Sequence, residues 1–213
     1  MIEIRGLCKT YSGYPVLENV NMHLERGQTA GFVGANGSGK SVLLKMICGF
    51  VRPDRGEILV DGKRIGRDRD FPENAGIMIE EPGFFRAYSA RQNMRLFAAH
   101  RGRLTDPQID RAIEEVGLDP RERKPVGRYS MGMRQRLCFA QAIMEEPELL
   151  ILDEPFNSLD RKWAAWMREK IRLYRSPGRL ILLTSHRQED IDALCTCTYR
   201  FEDGQVIKEK KEE

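Results

Sequence analysis

From Gly34 to Ser41 the chain reads GANGSGKS, which keeps the G-x-x-x-x-G-K-S spacing. Glycines at 34, 37 and 39 let the backbone bend until its N–H groups face one centre, and a helix starting there adds partial positive charge. Phosphate oxygens fit such a cradle. The candidate nucleotide-binding residues are therefore Gly34, Ala35, Asn36, Gly37, Ser38, Gly39, Lys40, Ser41 and Val42. Lys40 is expected to reach the β and γ phosphates as a point charge, and the Ser41 hydroxyl to ligate Mg²⁺. The plain alternative is a glycine-rich turn with a chance lysine, and the flanking segments weigh against it. Thr29 to Val33 (TAGFV) reads as a buried strand running directly into the glycines, and Ser41 to Phe50 (SVLLKMICGF) as an apolar helix ending near Gly49.

Two further stretches put polar groups at the ends of apolar runs. Leu149 to Pro155 is LLILDEP, so a strand would carry Asp153 and Glu154 to its exposed end, where ligands of open α/β sheets bind. Asp153 is placed to hold Mg²⁺ through its water shell, and Glu154 to polarise an attacking water or take its proton. Alone, Asp-Glu-Pro after a strand is a capped turn; beside a phosphate loop the functional reading is the stronger. Leu183 to His186 (LTSH) repeats the pattern with one of only three histidines; His186 is a candidate donor to a γ-phosphate oxygen, but taken alone it reads first as a satisfied surface histidine. Gly76 to Phe85 (GIMIEEPGFF) sets two adjacent carboxylates, Glu80 and Glu81, between an apolar run and a proline turn.

The elements that must position these groups alternate. Short apolar runs and turns fill residues 1 to 33, Glu57 to Ile65 is two β runs about an Asp61-Gly62 turn, and Ala75 to Ile79 is a strand. From Ser89 to about Glu146 the pattern is helical, with no strand candidate. Strands return at Leu149–Leu152 and Leu180–Thr184, flanking a helix over Asp160–Tyr174 whose Trp163, Trp166, Met167, Ile171 and Tyr174 share a core-facing side. The expected fold is α/β. It comprises a phosphate-loop nucleotide-binding core with a mostly parallel sheet, an N-terminal antiparallel β part and an inserted helical subdomain. One domain is expected over 1–213, with a core of 1–84 and 147–213 and the helical part at about 85–146.

Composition sets bounds on this reading. The 213 residues are 41% hydrophobic and 31% charged, an ordinary globular balance. The net charge of +3 gives no argument for nucleic acid as a partner. Five cysteines, odd in number and without zinc spacing, fit a reducing cytoplasm, and Cys195-Thr196-Cys197 reads as small core residues before it reads as a redox or metal pair. No apolar stretch approaches a membrane span, MIEIRGLCKT lacks the apolar segment of a secretory signal, and the tail KEKKEE reads as a solvated charge run.

Taken in order, GANGSGKS, YSMGMRQRL (Tyr129 to Leu137), LLILDEP, NSLD (Asn157 to Asp160) and LTSH resemble the nucleotide-binding subunit of ATP-binding cassette transporters, from Tyr11 to the C-terminus. The resemblance implies ATP and Mg²⁺ as cofactors and hydrolysis at the γ-phosphate. It also implies a second ATP-binding subunit, identical or not, packed head to tail, and an integral membrane permease that holds the chain on the inner face of the membrane. Tyr11 falls where the family stacks an aromatic ring on adenine, with Val16 nearby and Tyr14 as a competing candidate. Ser130, Met131 and Gly132 fall at the family signature, which meets the γ-phosphate held by the other subunit, and Asp160 falls in a loop that crosses the dimer interface. The plain readings are a helix cap for Ser130 and an N-cap for Asp160.

The signature here is YSMGM where the commonest form is LSGGQ, a variant similar to the branch that exports drugs, antimicrobial peptides or polysaccharides. Glu80 aligns with the family's Mg²⁺-contacting glutamine and Glu81 one place beyond; a slip of one residue would exchange them. A carboxylate there resembles cassettes acting on lantibiotics and bacitracin, which makes peptide export the favoured cargo expectation. Two rival functions remain at this point. A soluble cassette ATPase working on ribosomes or DNA would carry two cassettes or long coiled coils, and this chain has neither. A nucleotide-gated binding module without hydrolysis would be expected to lack Glu154.

Overall fold

The protein is described over residues 1–80, 83–101 and 104–209 by a computed structural model. Its first sheet is antiparallel, in the order β2 (Tyr14–Leu24), β1 (Ile2–Tyr11), β4 (Arg55–Val60), β5 (Lys63–Arg64). The β1–β2 turn is Ser12-Gly13, both at positive φ (50° and 83°), which suits the right-handed twist of a tight hairpin and sets Tyr11 opposite Tyr14.

The second sheet runs β10 (Gln205–Glu209), β9 (Cys197–Glu202), β3 (Thr29–Gly34), β8 (Leu180–Thr184), β7 (Leu149–Leu152), β6 (Ala75–Met78), parallel except for β10 at its edge. Phe32 pairs with Thr184, Leu183 with Leu152 and Leu152 with Met78, so β3, β8, β7 and β6 finish nearly level. Everything that follows these strands is delivered to one edge.

The central strands are mostly apolar because both of their faces are buried. Leu150, Leu152, Ile181 and Leu183 face one core cluster, with α2 (Ala90–Arg101), α3 (Asp106–Glu115), α4 (Met131–Ile143) and α5 (Arg161–Tyr174). Leu149, Ile151, Leu180 and Leu182 face the other, with α1 (Lys40–Ile47) and the antiparallel sheet. The signature helix α4 lies against β6 so closely that a Cβ on Gly76 would stand 1.9 Å from the Ala142 carbonyl oxygen.

The structure adjusts several sequence-based expectations. Helix α1 starts at Lys40, one residue early, and ends at Ile47 ahead of Gly49, whose φ of 80° and 1.9 Å approach of a would-be Cβ to the Asp70 carbonyl leave no room for another residue type. On α5, Met167 and Ile171 are buried and Trp166 and Tyr174 pack against the cluster; Trp163 instead stacks under the Arg136 guanidinium, 3.9 Å from its ring centre. Helix α6 (Gln188–Leu194) and strands β9 and β10 stand where the sequence suggested no element, and β10 takes in Lys208 and Glu209 of the supposed charged tail; its remaining residues lie outside those described. Cys195 and Cys197 are buried in opposite core clusters, as small core residues would be. Glu81 lies outside the described residues.

Candidate active site

The loop between β3 and α1 has the backbone that its glycines foretell. Gly34, Gly37 and Gly39 all have positive φ (149°, 81° and 99°). A Cβ at Gly34 would meet the Phe201 carbonyl at 2.4 Å, and one at Gly39 the Leu17 side chain at 2.9 Å, while Gly37 faces open space. Neither a capping side chain nor an acidic residue occupies the first turn of α1, so its N–H groups and dipole are available to an anion. Lys40 is buried, with Nζ donating to the carbonyls of Gly34 and Ala35 at 2.8 Å each, which holds the ammonium inside the loop. Ser38 Oγ is buried with no hydrogen-bond partner, an orphaned polar atom in the cradle that a phosphate oxygen would satisfy. Beside the loop, a cavity of about 490 Å³ is lined by Val16, Ala35, Asn36 and Gly37 and by the Asp203-Gly204 turn.

Strands β7 and β8 build the acidic side. Thr184 is fully buried; its hydroxyl donates to Asp153 Oδ1 at 2.6 Å and accepts from the Glu154 N–H at 2.8 Å. One threonine thus orders both carboxylates, a role the sequence reading missed although Thr184 stands in LTSH. Asp153 is thereby held just beyond the end of β7 through its Oδ1. Glu154 has φ 48°, a left-handed conformation that turns its side chain toward His186, and Oε2 lies 2.9 Å from His186 Nδ1 and 3.4 Å from the His186 N–H. Gln135 of α4, also missed, donates from Nε2 to the carbonyls of Glu154 (3.1 Å) and Pro155 (3.0 Å). It ties the signature helix to the carboxylate turn.

Glu80 follows β6 at the same edge, with φ 57°, and its Oε1 lies 2.5 Å from Lys45 Nζ on α1, one turn beyond Ser41. Among the described residues no group of three histidine, cysteine or carboxylate side chains forms a metal cage. That is compatible with Mg²⁺, which needs few protein oxygens when phosphates and water supply the rest; the Ser41 hydroxyl and Asp153 are the donors that fit.

The other predicted residues gather elsewhere. Ser130 caps α4, Oγ accepting from the Met133 N–H at 3.2 Å, and a Cβ on Gly132 would lie 3.0 Å from the Ser158 carbonyl, so the signature abuts the NSLD loop. Met131 is exposed beside them. Asp160 caps α5, accepting from the Trp163 N–H at 2.9 Å. Both cap readings hold, and both caps leave the residues on the surface. Tyr11 sits half exposed at the hairpin tip with the Lys9 ammonium 5.2 Å from its ring centre, while Tyr14 is more exposed still; Val16 packs against Gly39.

Comparison with known proteins gives this geometry its family. The ABC transporter family profile matches residues 17–157, from β2 through the phosphate loop, the signature and the carboxylate turn. The chain belongs to the ABC transporter family. It is an ATP-binding subunit of that family and an ATPase. The uncharacterised ABC transporter ATP-binding protein YybJ of Bacillus subtilis is 35% identical over 211 residues, spanning 99% of this chain and 97% of that protein. The lantibiotic transport ATP-binding protein SrtF of Streptococcus pyogenes is also 35% identical, over 99% and 91%. The bacitracin transport ATP-binding protein BcrA of Enterococcus faecalis is 33% identical, over 98% and 68%. A solved ATP-binding subunit of an ABC transporter superposes with a TM-score of 0.88 at 28% identity, covering 99% of this chain and 90% of that one. A dimeric cassette in a post-hydrolysis state, bound to ADP and Pi, shares the fold at 21% identity with a TM-score of 0.87.

Proposed function

We propose that this subunit powers a separate integral membrane permease that exports an antimicrobial peptide or drug, with ATP held between two cassettes packed head to tail. The observation that carries the catalytic part is the meeting of the phosphate loop, Asp153, Glu154 and His186 at one sheet edge, with Glu154 and His186 2.9 Å apart. Lys40 and the α1 N-terminus hold the β and γ phosphates, and Tyr11 with Val16 takes the adenine. Ser41 and Asp153 hold Mg²⁺, with Glu80 beside them; bound there, the ion neutralises phosphate charge. Glu154 polarises the attacking water.

His186 has a constraint of its own. With Nδ1 turned to Glu154, its Nε2 donates to a γ-phosphate oxygen only if the ring is doubly protonated or has let Glu154 go. Ser130, exposed, and Gly132, half-buried, at the start of α4 supply the partner's phosphate contact, and Asp160 lies on the loop facing that partner. The helical stretch of about 85–146 acts as the subdomain that carries the signature and meets the permease; Gln135 links its motion to Glu154. Export of a peptide is supported by the likeness to SrtF and BcrA and by the carboxylate at position 80.

The test is co-expression of the chain with a candidate permease in a host sensitive to bacitracin or a lantibiotic. The expected result is co-purification of the two proteins and protection that Glu154→Gln abolishes. Recovery of the chain with ribosomes or nucleoid, without permease or protection, would contradict the transport reading.

A further inference from the structure

Four residues after His186 stands a fully buried carboxylate that the mechanism above does not use. Asp190, the third residue of α6, is 0% exposed. Its Oδ1 accepts from Arg168 Nε of α5 at 2.6 Å, and its Oδ2 accepts from the Ser185 hydroxyl at 2.9 Å. Ser185 Oγ in turn accepts from the Arg187 N–H at 3.1 Å, and the Asp190 N–H donates to the Arg187 carbonyl at 3.1 Å. Ser185 is thereby tied to the Asp190 side chain, and Arg187 to the Ser185 hydroxyl and to the Asp190 main chain. Arg168 reaches further: its guanidinium lies 5.5 Å from the centre of the Phe156 ring, two residues beyond Glu154.

A buried ion pair is a weak route to stability, since apolar residues of the same volume do as well. What a charged, hydrogen-bonded pair adds is direction, because each oxygen of Asp190 has one partner at one angle. We propose that Asp190 is a positioning residue for His186. Through Ser185 and Arg187 it sets the turn that holds the imidazole against Glu154, and through Arg168 it ties that turn to α5 and to the Phe156 side of the carboxylate turn. Because α5 begins right after Asp160, a shift of the NSLD loop is carried along α5 to both members of the Glu154–His186 pair. The inference rests on the role proposed for His186, and its test separates the two.

The experiment uses Ser185→Ala and Asp190→Asn in the full chain, with His186→Ala as reference. Only three histidines are present, so the imidazole ¹⁵N spectrum contains three sets of signals, and His186→Ala identifies its own. Both variants are expected to move the His186 signals and leave those of His23 in place. The kcat for ATP should fall about tenfold with KM within about twofold, as for a displaced rather than a missing group. Unmoved His186 signals overturn the proposal, whatever happens to the rate, and so does a loss that appears in KM alone. Ser185→Ala keeps the Arg168–Asp190 pair, so it decides the matter if Asp190→Asn does not fold. Full turnover by His186→Ala would remove the role proposed for His186 and leave the spectral test of the geometry standing.

Discussion

Replacing Thr184 by valine keeps the shape of a fully buried side chain and removes one hydroxyl. That hydroxyl makes two bonds, 2.6 Å to the Asp153 carboxylate and 2.8 Å from the Glu154 N–H. A hydrogen bond to a charged group contributes about 1.5–3 kcal/mol and one to a neutral group about 0.5–1.5 kcal/mol, so the pair is worth about 2–4 kcal/mol. Against a total stability of about 5–15 kcal/mol this is a large fraction, and 3 kcal/mol lowers the Tm by about 6–12 °C for a chain of this size. The same bonds fix the direction of both carboxylates, so the rate should suffer as well: about a tenfold to hundredfold fall in kcat, with ATP binding at the phosphate loop retained. Urea unfolding and steady-state ATP hydrolysis of Thr184→Val measure the two effects side by side. A stability change below about 0.5 kcal/mol with unaltered kcat would refute the reasoning, because it would mean the hydroxyl orders neither group.

Three further outcomes are expected. Glu80→Gln breaks an exposed ion pair with Lys45, so stability should change by about 1 kcal/mol or less, while ATP still binds and the ratio of ATP hydrolysed to peptide exported changes; an unchanged ratio would show that Glu80 is a surface charge. Gly76→Ala drives a methyl group into the Ala142 carbonyl and should cost about 1–3 kcal/mol in thermal melts; a neutral result would mean that α4 and β6 are not so closely packed. Burial pushes the Cys48 thiol from 9.0 up to about 12, so the unfolded chain releases this proton first and stability falls as pH rises from about 9 toward 12. The slope from this group approaches about 1.4 kcal/mol per pH unit, and it should be shallower in Cys48→Ala when the denaturation midpoint is followed against pH.

The parts of this molecule legible in its sequence are those whose chemistry is local. β3 runs into glycines that only a special backbone accommodates, β7 and the Leu180–Leu183 run of β8 are apolar because both faces are covered, and Ser130 and Asp160 carry their capping chemistry in their own side chains. What escaped is set by distant partners. Gln135 reaches carbonyls 19 and 20 residues away, Glu154 and His186 are 32 apart, and Arg168 and Asp190 are 22 apart, so no spacing rule relates them. β10 is an edge strand whose Gln205, Lys208 and Glu209 lack an alternating apolar face, and β9 begins with small residues, Cys197 and Thr198, that periodicity does not count. Glu80 is the clearest case. Sequence placed Glu80 beside a metal, but only the fold shows that Lys45, a turn beyond Ser41, holds its carboxylate.

The most direct test of the account is to measure ATP binding and ATP hydrolysis together in Glu154→Gln. The amide keeps the shape of the side chain and its place beside His186 but is a far poorer base. Removing general-base catalysis should lower kcat by about 100-fold or more. The Kd for ATP should stay within about threefold of the parent, because the phosphate loop and Lys40 are untouched. Hydrolysis at the parental rate, or loss of ATP binding along with it, would contradict the assignment of this sheet edge as the site where Glu154 activates water.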